Sequence, residues 1–127
     1  MPEKSIAQKM FIKPDSKLLL VSPPDGYLAQ LGELPQGTIL LDDASSPVGI
    51  IQVFVSNRAE LEQQLPRLKE LMAPEGMLWV TYYKGTSKVK TDIHRDTINT
   101  YAHSIGLQGV AIISIDEDWS ALRMKLI

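Results

Sequence analysis

Apolar residues gather in short blocks separated by polar, proline and glycine punctuation. Five blocks are close to continuous: Lys17–Ser22, Thr38–Leu41, Val48–Val55, Met77–Tyr83 and Val110–Ile115. Runs of this kind suit strands covered on both faces, as in a parallel α/β sheet. The sixth block differs. In Ala121–Ile127, Leu122, Met124 and Leu126 alternate with Arg123 and Lys125, the pattern of a half-exposed antiparallel strand. Only Glu117–Ser120 precede it, so a tight hairpin must return the chain.

Helices are predicted in the gaps. Ser5 with Gln8 forms a capping-box pattern for a short helix ending before Pro14. Asp25 is placed to cap a short helix over 26–31 that Gly32 stops. Asn57 with Glu60 is a second capping box, followed by Leu61, Leu65, Leu68 and Met72 as one apolar stripe. Pro66 within that stripe predicts a kink or a restart, because proline suits only a first turn. The last helix begins at Asp96 or Thr97, turns Ile98, Tyr101, Ala102 and Ile105 inward, and stops at Gly106. Together these elements give a three-layer, Rossmann-like α/β sandwich with a six-stranded, mostly parallel sheet and an antiparallel C-terminal strand.

Composition bounds the chemistry. The 127 residues suffice for one core, so a single domain over 1–127 is expected. A net charge of −2 offers no basic field for nucleic acid. With no cysteine there is no disulfide, thiol nucleophile or thiolate metal site. Two distant histidines give no metal-ligand spacing. No apolar run approaches the ~20 residues of a membrane span, and the start of the chain leads into no apolar leader segment. A cytoplasmic protein is the expectation.

The order of elements carries a resemblance. Ile12–Val21 resembles the entry into the first strand of class I S-adenosylmethionine-dependent methyltransferases, and Leu68–Val80 is similar to their passage into the fifth. The final helix, strand, tight turn and antiparallel strand match that fold's ending. A closer resemblance is to a family of small bacterial proteins, a domain of unknown function with a shortened methyltransferase-like fold. Its marks are Pro24–Tyr27, Tyr83–Ser87, Thr91–Asp96 and Asp118–Arg123; membership implies no established activity. The departure from true methyltransferases lies after the first strand. Where they have a glycine-rich turn, this chain has Ser22–Tyr27 with one glycine, and Pro23 and Pro24 lack N–H donors. The resemblance implies S-adenosylmethionine as cofactor and Asp42 or Asp43 as its ribose-binding acid, while the Pro23–Pro24 loop disfavours it.

In a sheet parallel through its first five strands, the carboxyl ends share one edge, where ligands sit. Ser22–Tyr27, Asp42, Asp43, Ser56–Arg58, Lys84–Arg95 and Asp116–Trp119 converge there. Between Lys84 and Arg95 four cations face one carboxylate, a net charge near +3. Lys84 and Arg95 are the candidates for gripping a phosphate or carboxylate, with Gly85, Thr86 and Ser87 as extra donors. The alternative is that Asp116–Asp118 neutralise the loop. Lys88 and Lys90 read as solvated. Thr91 and Asp92 either cap the following helix or stand near a substrate, and His94 is either an acid–base group or an exposed loop residue. Trp119 is a wall for a planar ligand or the close of a core, and Tyr27 on the first of these loops is a further ligand-binding candidate. Trp79 reads as core and His103 as surface.

Three functions fit these residues. The leading one is a non-catalytic methyltransferase-like domain that binds a small anionic ligand or a protein partner at the carboxyl edge. The second is a minimal methyltransferase, with Asp42 or Asp43 on the cofactor and Asp92 or His94 near the substrate. The third is a structural or oligomerisation module pairing through the last strand.

Overall fold

The structure is a computed structural model describing residues 5–43 and 47–127; the chain start, where no leader is expected, lies outside the described residues. Its elements are α1 (Ile6–Lys9), β1 (Lys17–Val21), α2 (Tyr27–Leu31), β2 (Ile39–Leu41), β3 (Val48–Phe54), α3 (Arg58–Glu70), β4 (Met72–Tyr83), α4 (Arg95–Ser104), β5 (Leu107–Ser114) and β6 (Trp119–Leu126). The strands form one sheet in the order β2-β1-β3-β4-β6-β5. All neighbours among the first four are parallel, and β6 runs antiparallel to both β4 and β5. β5 therefore points the same way as the first four, as the sequence predicts.

Apolar side chains divide between the two faces by the period of two along each strand. Leu19, Ile51, Val53, Val80, Leu122 and Met124 pack with Leu61, Leu65 and Leu68 of α3 and Ile98 and Ala102 of α4. On the other face Leu18, Leu20, Ile50, Phe54 and Trp79 pack with Ile6, Met10, Tyr27 and Leu31. This is the expected three-layer sandwich.

Several local expectations change. Met72 is the first residue of β4 rather than the end of the helical stripe, and α3 stops at Glu70. The added segment enters the sheet beside Val48 across an irregularity in register. Asp25 does not cap α2; Gly26 takes that position at φ 80° with no side-chain cap. The Asn57 half of the second capping box forms, at 2.8 Å to the Glu60 amide, but Glu60 Oε1 accepts from the Ser56 amide and hydroxyl instead. The last helix starts at Arg95, one residue before the expected start. Most consequentially, β6 lies between β4 and β5, so the free edge predicted for the last strand belongs to β5. The alternation in β6 reports which face is covered, not which neighbours flank the strand.

Two helices carry a local irregularity. The hydrogen bonds from Phe11 N–H to Gln8 O (3.1 Å) and from Ile12 N–H to Ala7 O (3.2 Å) close α1 in a Schellman motif. Its left-handed position, normally glycine, is Phe11 at φ 59°, which costs about 1 kcal/mol. In α3, Pro66 sits inside a single unbroken helix. Its missing N–H leaves the Glu62 carbonyl without a helical donor, and Tyr101 Oη from α4 donates to that carbonyl at 3.3 Å. Replacing Tyr101 with Phe should lower stability in urea unfolding by about 0.5–1 kcal/mol. An unchanged midpoint would mean that water serves the carbonyl equally well.

Candidate functional site

The chain passes from β1 to β2 on one side and then to β3 on the other. The carboxyl ends of β1 and β3 therefore form the switch point, where open α/β sheets place ligands. Ser22, at φ 57°, turns the chain off β1. Pro23 and Pro24 follow, and Tyr27 opens α2 with its side chain turned onto the sheet and almost wholly buried. Its Oη donates to Gln52 Oε1 at 2.8 Å, and Gln52 Nε2 donates to Thr81 Oγ1 at 3.0 Å. Burial raises the Tyr27 pKa well above the usual phenol range, against the opposing pull of the Gln52 hydrogen bond and with a further push from Asp116. The phenol thus stays protonated and serves as a fixed donor.

A row of rings continues from Tyr27. Phe54 meets it edge to face at 4.7 Å, Trp119 meets Phe54 likewise at 5.1 Å, and Tyr83 stacks on Trp119 at 3.9 Å. Trp119 and Tyr27 therefore pack against the chain's own aromatics, and Tyr83 covers the Trp119 face that a planar ligand would need. Asp42 and Asp43 are exposed just past β2. The residues at this switch point do not fit a nucleoside cofactor lying along it. Two N–H groups are missing, and Tyr27 fills the β1–β3 end from the helix side.

The loop after β4 turns its polar groups to two separate tasks. Thr91 Oγ1 donates to Ser56 O at 2.7 Å and accepts from the Ile93 amide. Asp92 Oδ1 accepts from the Arg58 amide at 2.8 Å, in the first turn of α3. Asp92 caps, as one sequence reading has it, but the helix it serves is α3 and not the one that follows it, while Thr91 ties its own loop to the Ser56 carbonyl and caps neither helix. A helix amide accepts any carboxylate brought close to it in space, which local spacing cannot show.

Lys84 and Arg95 come together instead on the α4 face. They line a groove of about 430 Å³ with Tyr82, His94, Ile112 and Ser120. Lys84 Nζ donates to the neutral Ser114 Oγ at 2.6 Å, and its backbone N–H donates to Asp118 O at 2.7 Å. Arg95 is exposed and ion-paired at 3.5 Å with Asp96, which also lines the groove. Tyr82 forms the wall beside Arg95; burial raises its phenol pKa, with Arg95 opposing and Asp96 adding to the rise. His94 is exposed next to Thr97 Oγ1 at 3.2 Å, and His103 is also exposed. Ile112, 47% exposed, gives the groove an apolar side. Sequence reading missed Ile112 and Ser120, although their place opposite each other's strand follows once β5 and β6 are paired.

The acidic turn neutralises this loop only at a distance. Among the described residues Lys84 has no ion pair with it. Asp116 is held by Gln30 Nε2 (2.5 Å) and by the amides of Asp118 (2.8 Å) and Trp119 (2.9 Å). Ser87 Oγ donates to Asp118 Oδ1 at 2.9 Å. Burial pushes the Asp116 carboxyl up, but the hydrogen bonds from Gln30, Asp118 and Trp119 and the nearby Lys84 charge outweigh it, so the group lies below its ordinary value of 3.8.

No family model matches the chain, and no curated protein matches it. Among solved structures it is similar to a SAM dependent methyltransferase from Aquifex aeolicus. The two share a TM-score of 0.59 at 12% sequence identity, over 94% of this chain and 87% of that one. At that identity the likeness shows the fold alone: the sheet and its layers are those of a methyltransferase-like Rossmann sandwich. No helix among the described residues is long and apolar enough to cross a membrane.

The lowered Asp116 pKa has a pH consequence. A carboxyl depressed in the folded state adds stability that is complete above its unfolded value and lost as pH falls through the folded one. As pH falls below the ordinary carboxyl value of 3.8, the native protein should therefore lose more stability than Asp116→Asn, measured by urea titration at each pH. Parallel profiles would show that the turn does not hold the ionised form.

Proposed function

We propose that this chain is a non-catalytic methyltransferase-like domain that binds a small anion, a phosphate or carboxylate, in the groove between Lys84 and Arg95. One observation carries the reading. Two cations eleven positions apart in sequence line one groove with a single carboxylate, Asp96, which pairs with Arg95, and neither cation is ion-paired to the nearby acidic turn. A half-buried Lys beside an exposed Arg, with Ser120 and the Gly85–Thr86 backbone alongside, supplies charge-assisted donors around an open centre. The free carboxylate or phosphorylated side chain of a protein partner is the same chemistry on a larger body. His94 contacts the Thr97 hydroxyl in the first turn of α4, and Asp92 is engaged as a helix cap.

The fold shared with a SAM dependent methyltransferase favours a second reading, a minimal enzyme of that kind with Asp42 or Asp43 toward the ribose. The closed switch point argues against it. One thermal-shift experiment compares the two. Inorganic phosphate at ten times its Kd should stabilise the native protein by about 1.4 kcal/mol. The Lys84→Ala, Arg95→Ala double variant should lose that response. S-adenosylmethionine and S-adenosylhomocysteine should leave the transition unmoved. Undiminished phosphate stabilisation in the double variant sinks the anion site, and saturable stabilisation by S-adenosylmethionine sinks the non-catalytic reading.

A further inference from the structure

A second concavity lies at the opposite, amino-terminal edge of the sheet. It is a cleft of about 860 Å³ between the loop after α1, the starts of β1, β3 and β4, and the end of β6. That volume is within the range of small-molecule sites, ~300–1,000 Å³. Its composition also fits one. Phe11, Met77 and Val110 supply apolar surface, and four cations (Lys13, Lys17, Arg123, Lys125) outnumber the two acids Asp15 and Glu75. None of the four is ion-paired among the described residues.

Two details show a cleft kept open rather than one left over. Phe11 occupies the left-handed Schellman position that favours glycine, yet its ring is 55% exposed and lines the cleft. A bulky aromatic that strains its backbone and gains little burial is unexplained by folding, and such outliers point toward function. The Arg123 guanidinium lies over that ring, 5.7 Å from its centroid, which orients a cation beside an aromatic face. Gly49, between buried Val48 and Ile50 of β3, has open space where a Cβ would stand. A side chain there would start into the cleft, its Cβ meeting no neighbour within 4 Å.

We propose that this amino-edge cleft is a second ligand site, specific for a planar aromatic anion. The ring lies against Phe11 and the apolar floor over Gly49, and the carboxylate or phosphate meets Arg123 and Lys17. Stacking and charge act together, so neither half of such a ligand binds well alone. The site is independent of the carboxyl-edge groove and does not rest on it.

The test uses 1-naphthyl phosphate, with 1-naphthol and inorganic phosphate as its two halves, in calorimetric titrations. The Lys84→Ala, Arg95→Ala background keeps the other groove silent. Saturable binding of 1-naphthyl phosphate is expected, with both halves weaker by at least about tenfold. Gly49→Leu and Arg123→Met should each weaken it by about tenfold or more. Phe11→Gly should raise the melting temperature and still lose the ligand, a combination that damage to the fold cannot produce. No saturable binding at millimolar ligand overturns the proposal, and so does full affinity in Phe11→Gly. Equal affinity for inorganic phosphate overturns the aromatic specificity and with it the role of Phe11.

Discussion

The structure turns on a chain of three buried polar side chains, Tyr27, Gln52 and Thr81. Gln52 lies in the middle of β3 with no exposure at all. A buried amide with an unmet oxygen or N–H costs about 1–3 kcal/mol, so both ends must find partners. Thr81 answers one end from β4 and Tyr27 answers the other from the first turn of α2. The tyrosine can do so only if the segment after β1 folds down onto the sheet. Pro23, Pro24 and Gly26 shape that descent, and Gln30 then reaches Asp116 at the β5–β6 turn. A short helix is thereby tied across the strand ends where the fold would otherwise lie open.

This closure decides what the carboxyl edge can do. On the α2 face, Tyr27, Phe54, Trp119 and Tyr83 form a continuous row of rings, a core ending in place of a ligand wall. On the α4 face, Thr91 and Asp92 are committed to holding the loop after β3 and the start of α3. What remains open is a small groove with two cations and one acid: Lys84, Arg95 and Asp96 over Ile112 and Ser120. The sheet is methyltransferase-like, and its β1–β3 end on the α2 face is packed by the chain's own aromatic side chains. A shared fold does not by itself fix the chemistry of a site.

Sequence periodicity was sufficient for most of the sheet because both faces of β1, β3 and β4 are covered. Continuous apolar runs are the direct consequence of that burial. The Ser5–Gln8 box and the Leu61, Leu65, Leu68 stripe were legible because their partners lie three or four residues away. Features set by distant partners were not. The interior place of β6, the capping of α3 by Asp92 and the rescue of the Glu62 carbonyl by Tyr101 all depend on contacts made only after the chain is folded. Lys84 and Arg95 stood out because charge density in a loop survives without coordinates, whereas Ile112, which lines the same groove, looked like any core strand residue. The amino-edge cleft had one local signal, an aromatic at a helix end where glycine is the norm.

The central claim is that Tyr27 closes the switch point and leaves anion binding to the Lys84–Arg95 groove. Backbone amide NMR reads both places at once. Titrating phosphate into the labelled protein should shift the amides of Lys84–Thr86, Arg95 and Ser120 while those of Ser22, Asp25, Gly26 and Tyr27 stay fixed, and S-adenosylmethionine should move neither set. Shifts at Ser22–Tyr27 on adding S-adenosylmethionine, with the Lys84 loop silent to phosphate, would contradict the account.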